Sequence, residues 1–252
     1  MTVLGLLFGL LVGLTLGLLG GGGSILTVPI FVFMLGIETK TAMTMSLAAV
    51  GITSLFGAFG HWRQGHINTR LALLFGAFAM TGSFVGGKLS RLFSGDVLLT
   101  VFGVVMLMAA TFMARGRGNS DEERPPRSVS VMALPALVVG LLTGLIGVGG
   151  GFLIVPALVL LGGVPMKKAI GTSLLVIAMT ALSGFAGHLT EDANIHWGLT
   201  ALFTAAAIIG TLAGTRLVPH IPQRTLRKSF ALFLIVMALL ILYQKRAVFL
   251  GT

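Results

Sequence analysis

Apolar stretches of 18 or more residues recur along this 252-residue chain. An α-helix of that length can cross the hydrocarbon core of a bilayer. Only 10% of the residues are charged, against about a quarter in soluble domains. The sequence therefore predicts an all-α integral membrane protein and excludes a soluble enzyme. The apolar runs are also too long for the short alternating strands of a transmembrane β-barrel.

An internal repeat divides the chain into two halves. An offset of 127 residues places GGGSILTVP (Gly21–Pro29) on VGGGFLIVP (Val148–Pro156), and identities continue as far as His61. After one inserted residue the offset becomes 128 and the match reaches Phe102. Such self-similarity indicates two homologous membrane repeats, 1–114 and 131–252. They are joined by 115–130, a charged, proline-containing segment that is predicted to be an exposed linker.

Each repeat is predicted to contain five helices. Their approximate ranges are 2–19, 25–35, 42–61, 69–93 and 96–113, followed by 130–146, 152–162, 169–188, 197–218 and 225–243. The second helix of each set, at about 17 Å, is too short to cross a 30 Å core. It is either part of one broken span or the return arm of a hairpin, so that the chain has eight to ten membrane segments.

The distribution of Lys and Arg distinguishes the two topologies. If each glycine run is a hairpin, the repeats are inverted and twelve basic residues share one side against five on the other. If each is a broken span, the repeats are parallel and the count is eight against nine. Basic residues favour the cytoplasmic side of short loops. The inverted topology is therefore predicted, with the linker in the cytoplasm and both termini outside.

The glycine runs are the first candidate site. Inverted repeats with paired broken helices are typical of transporters that bind substrate near the membrane midplane. A helix that begins after such a run offers free N–H groups and the positive end of its dipole, which suits an anion. The alternative is that the glycines only allow close packing. The substrate-binding candidates here are Gly22, Gly23, Ser24, Gly149, Gly150 and Gly151.

A polar stripe is the second candidate, and it occurs once in each repeat. Ser46, Thr53, Gly57 and His61 fall within an arc of roughly 80° on a helix, and Ser173, Thr180, Gly184 and His188 repeat the spacing. The four hydroxyls either line a substrate path or hydrogen-bond between helices. His61 and His188 are candidates for a proton or substrate relay, or else interfacial residues, whereas His66 and His196 are interpreted as solvated.

The acidic residues point to the charge of the substrate. All seven lie in loops or at helix ends, so the sequence supplies no intramembrane carboxylate to carry a cation. This favours a small anion. No catalytic residue, metal site, cofactor or nucleic-acid partner is expected, since the net charge of +10 is explained by membrane topology. Proton or ion coupling and a homo-oligomer in the lipid bilayer stay open. The four-residue glycine spacing of Gly5–Gly17, Gly82–Gly86 and Gly210–Gly214 predicts helix packing.

The doubled signature G-x-G-G-[GS]-x-L-x-V-P, each copy followed by a helix ending in G-H, resembles the sulfite exporter TauE/SafE family over residues 4–243. The resemblance implies a permease or exporter in the plasma (inner) membrane, moving sulfite, organosulfonates or related organosulfur or carboxylate anions. It carries over to Gly22, Gly23, Pro29, Gly149, Gly150 and Pro156. Val148 and Glu38 depart from the doubled pattern. An anion channel of the same architecture, or a membrane enzyme or assembly factor, is the alternative.

Overall fold

The computed structural model describes residues 2–115, 129–148, 151–188 and 195–244, and within these ranges the regular structure is entirely helical. The predicted linker 115–130 lies outside the described residues except at its ends. The ten α-helices, numbered in chain order, are α1 Thr2–Leu19, α2 Gly22–Pro29, α3 Thr39–Arg63, α4 Thr69–Leu89, α5 Gly95–Arg115, α6 Val129–Ile146, α7 Gly151–Pro156, α8 Met166–His188, α9 Trp197–Leu217 and α10 Gln223–Gln244.

Six of the described helices are long and apolar enough to cross a membrane: α3, α4, α5, α8, α9 and α10. The four shorter apolar helices are α1, α2, α6 and α7, where α2 and α7 are counted with the turns that follow them. Large apolar side chains lie on the outside, with Leu134 70% and Leu7 61% exposed. In a membrane protein such side chains face lipid. The fold is thus that of an all-helical, multi-pass membrane protein.

Each repeat begins with two helices joined by a tight glycine turn. Gly20 ends α1 with a φ of +70°, a conformation that is open to glycine and strained for other residues. Helix α2 then runs back along α1, because a Cβ atom on Gly23 would overlap the Val12 carbonyl and lie 2.5 Å from the Leu16 Cβ. Gly147 makes the same turn, also with a φ of +70°, before α7.

A proline widens the helix after each glycine turn. Pro29 and Pro156 stand at the ends of α2 and α7, and π-helical turns follow at Ile30–Met34 and Ala157–Leu161. Proline has no N–H group and its ring crowds the carbonyl four residues earlier, so an α-helical turn cannot continue unchanged. The helix relaxes into a wider turn, which is found mostly at single positions in helices.

Glycine contacts between helices show that α1 lies parallel to α9. The contacts advance along both helices together: Gly5–Leu199, Gly9–Phe203, Gly13–Ala207 and Gly17–Thr211. Helices α4 and α6 are parallel in the same way, through Ala79–Gly140, Gly82–Leu137, Ser83–Gly144 and Gly86–Leu141. The predicted role of these glycine stripes in helix packing is therefore confirmed, since backbone of the neighbouring helix fills the space of most of the missing side chains.

The central pair, α3 and α8, runs in opposite directions. Their contacts advance on one helix as they recede on the other: Leu47–Gly184, Gly51–Leu182, Gly57–Leu174 and His61–Gly171. Helix α3 is parallel to α9, through Gly57–Thr211 and Gly60–Thr215. Equivalent helices of the two repeats thus have equivalent partners: α1 packs on α9 as α6 packs on α4, while α3 packs on its own counterpart.

Candidate functional site

The two glycine turns meet between the repeats. A Cβ atom on Gly21 would overlap the carbonyl group of Gly151, and one on Gly151 would lie 2.6 Å from the Gly21 Cα. Gly22, Gly23 and Ser24 are buried beside this contact. The structure therefore brings these predicted site residues together with Gly151, while Gly149 and Gly150 lie outside the described residues. Close packing explains why Gly21 and Gly151 carry no side chain.

The hydroxyl at the start of α2 is engaged within its own turn. Ser24 Oγ donates to the Gly21 carbonyl oxygen at 2.8 Å, and Thr27 Oγ1 donates to that of Gly23 at 3.1 Å. Both side chains are fully buried. These bonds hold the first turn of α2 against the contact between the repeats.

The polar stripes face the interior of the bundle, as predicted, and their hydroxyls differ in what they bind. Thr53 Oγ1 donates to the Ala49 carbonyl oxygen at 2.6 Å and Thr180 Oγ1 to that of Val176 at 3.0 Å. Each of these bonds stays within one helix. A hydroxyl that bonds to a carbonyl of its own helix is satisfied without a ligand.

The equivalent serines of the two stripes are not equivalent in bonding. Ser173 Oγ lies 3.0 Å from the Gly20 carbonyl oxygen and 2.8 Å from that of Ile170, and so can donate to either. Ser46 Oγ is fully buried and has no hydrogen-bond partner. A buried hydroxyl without a partner is unfavourable, and native proteins seldom keep one without a reason.

Ser46 lies close to the glycine turn of the other repeat. A Cβ atom on Gly147 would be 2.8 Å from the Cγ of Met43, which precedes Ser46 by one helical turn. Gly20 packs on α8 in the same manner, with its Cβ position 2.7 Å from Ser173 Oγ. Each serine thus serves one face of the region between the repeats, and only the first-repeat serine leaves its donor unused.

A cavity of about 730 Å³ opens at the starts of α3 and α9. Its lining includes Gly36, Glu38, Thr41, His196, Trp197 and Leu202. Thr41 precedes Ser46 by five residues, or about 7.5 Å along the axis of α3. The cavity therefore leads toward the unpartnered hydroxyl.

The two relay candidates, His61 and His188, are both buried but are held differently. His61 Nε2 donates to the Gly17 carbonyl oxygen at 3.1 Å, and its Nδ1 has no partner. His188 Nδ1 donates to the Gly184 carbonyl oxygen at 3.0 Å, and its Nε2 lies 3.2 Å from Ser90 Oγ. The first-repeat histidine is again the one with an unused polar atom.

His66 is not solvated, contrary to the sequence interpretation, whereas His196 is exposed as expected. The His66 ring is half-buried, and its Nδ1 is buried without a partner. Burial lowers the pKa of His66, and the charges of Lys167 and Lys168 lower it further. The error arose because a loop position was taken to mean exposure. Gly65, which turns the chain back over α3, was the available signal.

Comparison with known proteins identifies the chain's relatives. It matches the family described as "Sulfite exporter TauE/SafE" over residues 5–241. It is 33% identical to a "Probable membrane transporter protein" of Xylella fastidiosa strain Temecula1, covering 94% of this chain and 93% of that protein. It is 26% identical to "Probable membrane transporter protein YdhB" of Bacillus subtilis, covering 92% and 97%. No solved structure gives a significant match.

Proposed function

This chain belongs to the sulfite exporter TauE/SafE family, a family of membrane transporters rather than enzymes, and on that premise we propose that it is a secondary transporter of small anions. Sulfite, organosulfonates and related organosulfur or carboxylate anions are the class to test first. The observation that carries the proposal is the buried, unpartnered hydroxyl of Ser46 beside the glycine turns. A hydroxyl donor without a protein partner suits an anionic ligand.

The proposed topology is a pair of inverted repeats, 1–114 and 131–252, with the linker in the cytoplasm and both termini outside the plasma membrane. The directions of the helices support it. With parallel repeats, α3 and α8 would run in the same direction, but their glycine contacts run in opposite directions. The return of α2 along α1 also favours a hairpin over a single broken span.

The proposed binding site is the region where the two glycine turns meet. We assign the anion to the hydroxyl of Ser46 and to the backbone around Gly22, Gly23 and Ser24, with the counterpart Gly149–Gly151 opposite. Thr53, Ser173 and Thr180 line the path. Since Gly21 and Gly151 are already in contact, the anion can enter only when the two hairpins move apart. Such rocking of one repeat against the other is the usual basis of alternating access.

The test is counterflow in proteoliposomes. Vesicles are loaded with unlabelled sulfite, thiosulfate, sulfoacetate or a small carboxylate, and the entry of the same labelled anion is followed. Saturable exchange of one anion is the expected result. Leak without exchange would identify a channel, and silence across the panel from folded protein would refute the proposed substrate class.

Two variants of α3 test the site. Ser46→Ala removes the proposed donor and is expected to lower exchange at least tenfold. Ser54→Ala is the matched control, because Ser54 is also fully buried, also without a partner and lies two turns away on the same helix. Exchange that falls equally in both variants, or in neither, would place the site elsewhere.

A further inference from the structure

A second group of polar side chains lies at the opposite end of α3 from the cavity. We call it the basic mouth and define it as Gln64, His66, Lys167 and Lys168, with His61 beneath. Helix α3 ends there in a Schellman turn, in which the His66 N–H donates to the His61 carbonyl oxygen at 3.0 Å. Gly65, with a φ of +71°, makes this turn possible. The turn brings the rings of His61 and His66 to a centroid separation of 6.0 Å.

Helix α8 forms the other wall of the basic mouth. A Cβ atom on Gly171 would overlap the His66 carbonyl oxygen and lie 3.0 Å from the His61 Cβ, so the loop after α3 lies directly on α8. The first turn of α8 supplies Lys167 and Lys168, which are both half-buried. Lys167 Nζ donates to the Pro219 carbonyl oxygen at 2.8 Å, which holds one of the two ammonium groups close to the loop.

Three buried polar atoms in the basic mouth have no partner: His61 Nδ1, Gln64 Oε1 and His66 Nδ1. Two of them are acceptors. Because His61 Nε2 carries the hydrogen donated to Gly17, Nδ1 of the neutral ring has only a lone pair. Gln64 uses its Nε2 on the Thr215 carbonyl at 3.1 Å, which leaves the amide oxygen as the free acceptor.

The charges around these acceptors are positive. Besides the two lysines, Arg63 and Arg70 flank the loop and Arg216 ends α9, and all three are exposed. The carboxylates of the described residues, Glu38 and Asp96, lie at the other end of α3, where Gly95 contacts Thr39. Helix α1, which contacts His61 through Gly17, has no titratable side chain. A ligand here must therefore be negative and must also donate a hydrogen bond.

We propose that the basic mouth is a second binding site, specific for a small oxyanion that still carries one proton. Its O–H group donates to His61 Nδ1 or Gln64 Oε1, and its negative oxygens face Lys167 and Lys168. One oxygen atom can bridge nitrogens of two rings at this spacing, with about 2.8 Å to each. The site lies at another place than the one between the glycine turns, and binding there does not require transport.

The choice of anion tests the proposal directly. Hydrogensulfite and hydrogenphosphate species carry an O–H group near neutral pH, and sulfate does not. Binding of sulfite, phosphate and sulfate to the purified protein is measured by isothermal titration calorimetry. Sulfate would leave the buried acceptors unpaired, so sulfite and phosphate are expected to bind about tenfold more tightly. Sulfate binding as tight as that of sulfite would overturn the proposal.

Variants separate the contributions of the acceptors and the charges. His61→Gln keeps a donor for the Gly17 carbonyl but removes Nδ1, and is expected to abolish the preference for protonated anions. Gln64→Met, which removes the other acceptor at similar volume, replaces it if that variant does not fold. Lys167→Gln with Lys168→Gln is expected to weaken all three anions about tenfold. Lys40→Gln, at the position equivalent to Lys167 in the first repeat, is the matched control and should bind as the unchanged protein does.

Two competing occupants are distinguished in the same assay. Anionic phospholipid has a phosphodiester without an O–H group, so displacement of sulfite by phosphatidylglycerol in mixed micelles would assign the basic mouth to lipid and overturn the proposal. Loss of sulfite binding in Ser46→Ala but not in His61→Gln would assign the binding to the glycine turns and also overturn it. Binding at the basic mouth without counterflow would instead refute only the proposed transport function.

Discussion

The strongest test of the interior is to remove the same hydroxyl from equivalent positions of the two repeats. Ser46→Ala and Ser173→Ala delete one oxygen atom each from fully buried sites on α3 and α8. Ser173 loses a hydrogen bond to either Gly20 or Ile170, and Ser46 loses none. Since the gain in helix propensity is the same at both positions, it cancels when the two variants are compared.

The expected changes in the free energy of unfolding have opposite signs. Ser173→Ala removes a hydrogen bond worth about 0.5–1.5 kcal/mol and leaves a buried carbonyl with fewer partners, so it should destabilise by about 1–2 kcal/mol. Ser46→Ala removes a buried donor whose desolvation is uncompensated, a cost of about 1–3 kcal/mol, so it should be neutral or stabilising. The two variants should differ by about 2 kcal/mol.

Unfolding of the purified protein in mixed detergent micelles, followed by circular dichroism as the denaturing detergent is raised, measures this difference. The same preparations are assayed for counterflow, in which Ser46→Ala should be the less active of the two although it is the more stable. If Ser46→Ala destabilises as much as Ser173→Ala, then Ser46 has a partner in the protein and the reasoning that makes it the substrate donor is wrong.

Three further outcomes are expected. Gly13→Ala should destabilise by about 1–3 kcal/mol because its Cβ would overlap the backbone of α9; Gly5→Ala, whose Cβ would lie 3.3 Å from a movable leucine methyl, should be neutral or stabilising, and equal effects in thermal unfolding would contradict this packing. Cysteines introduced at Thr2 and Thr252 of this cysteine-free chain should react with an impermeant reagent outside intact cells, and labelling from the cytoplasm alone would rule out the inverted topology. The pKa of His66, lowered by burial and then by nearby lysines, should lie below 6.5 in an NMR titration. Because the unfolded chain binds that proton more readily, stability should be full above pH 6.5 and fall as the pH drops below it, and a pKa above 6.5 would contradict the burial of the ring.

Much of the helical architecture could be predicted from the sequence. All ten predicted helices are present in the described residues, and their ends agree within three residues. The agreement has a physical basis, because long apolar runs and glycine or proline boundaries are local signals. The paired glycine stripes could also be assigned, since a four-residue spacing places small residues on one face of a helix whatever its partner is.

The candidate site could be predicted only in outline. Ser46 and Ser173 occupy equivalent positions in the repeat, and the sequence offers no reason why one is bonded and the other is not. The difference depends on how each glycine turn approaches the facing helix, which is a matter of tertiary packing. The same holds for His61 and His188, whose different hydrogen bonds come from helices α1 and α4, far away in the chain.

The pairing of α1 with α9 has a consequence for how the protein is made. Helix α1 leaves the ribosome first, and its glycine face fits backbone on a helix that begins only at Trp197. During most of synthesis the close-packing surface of α1 is therefore without its partner. The newly inserted hairpin of α1 and α2 must wait in the membrane until nearly the whole chain has been translated, whereas the equivalent hairpin of the second repeat finds α4 already in place.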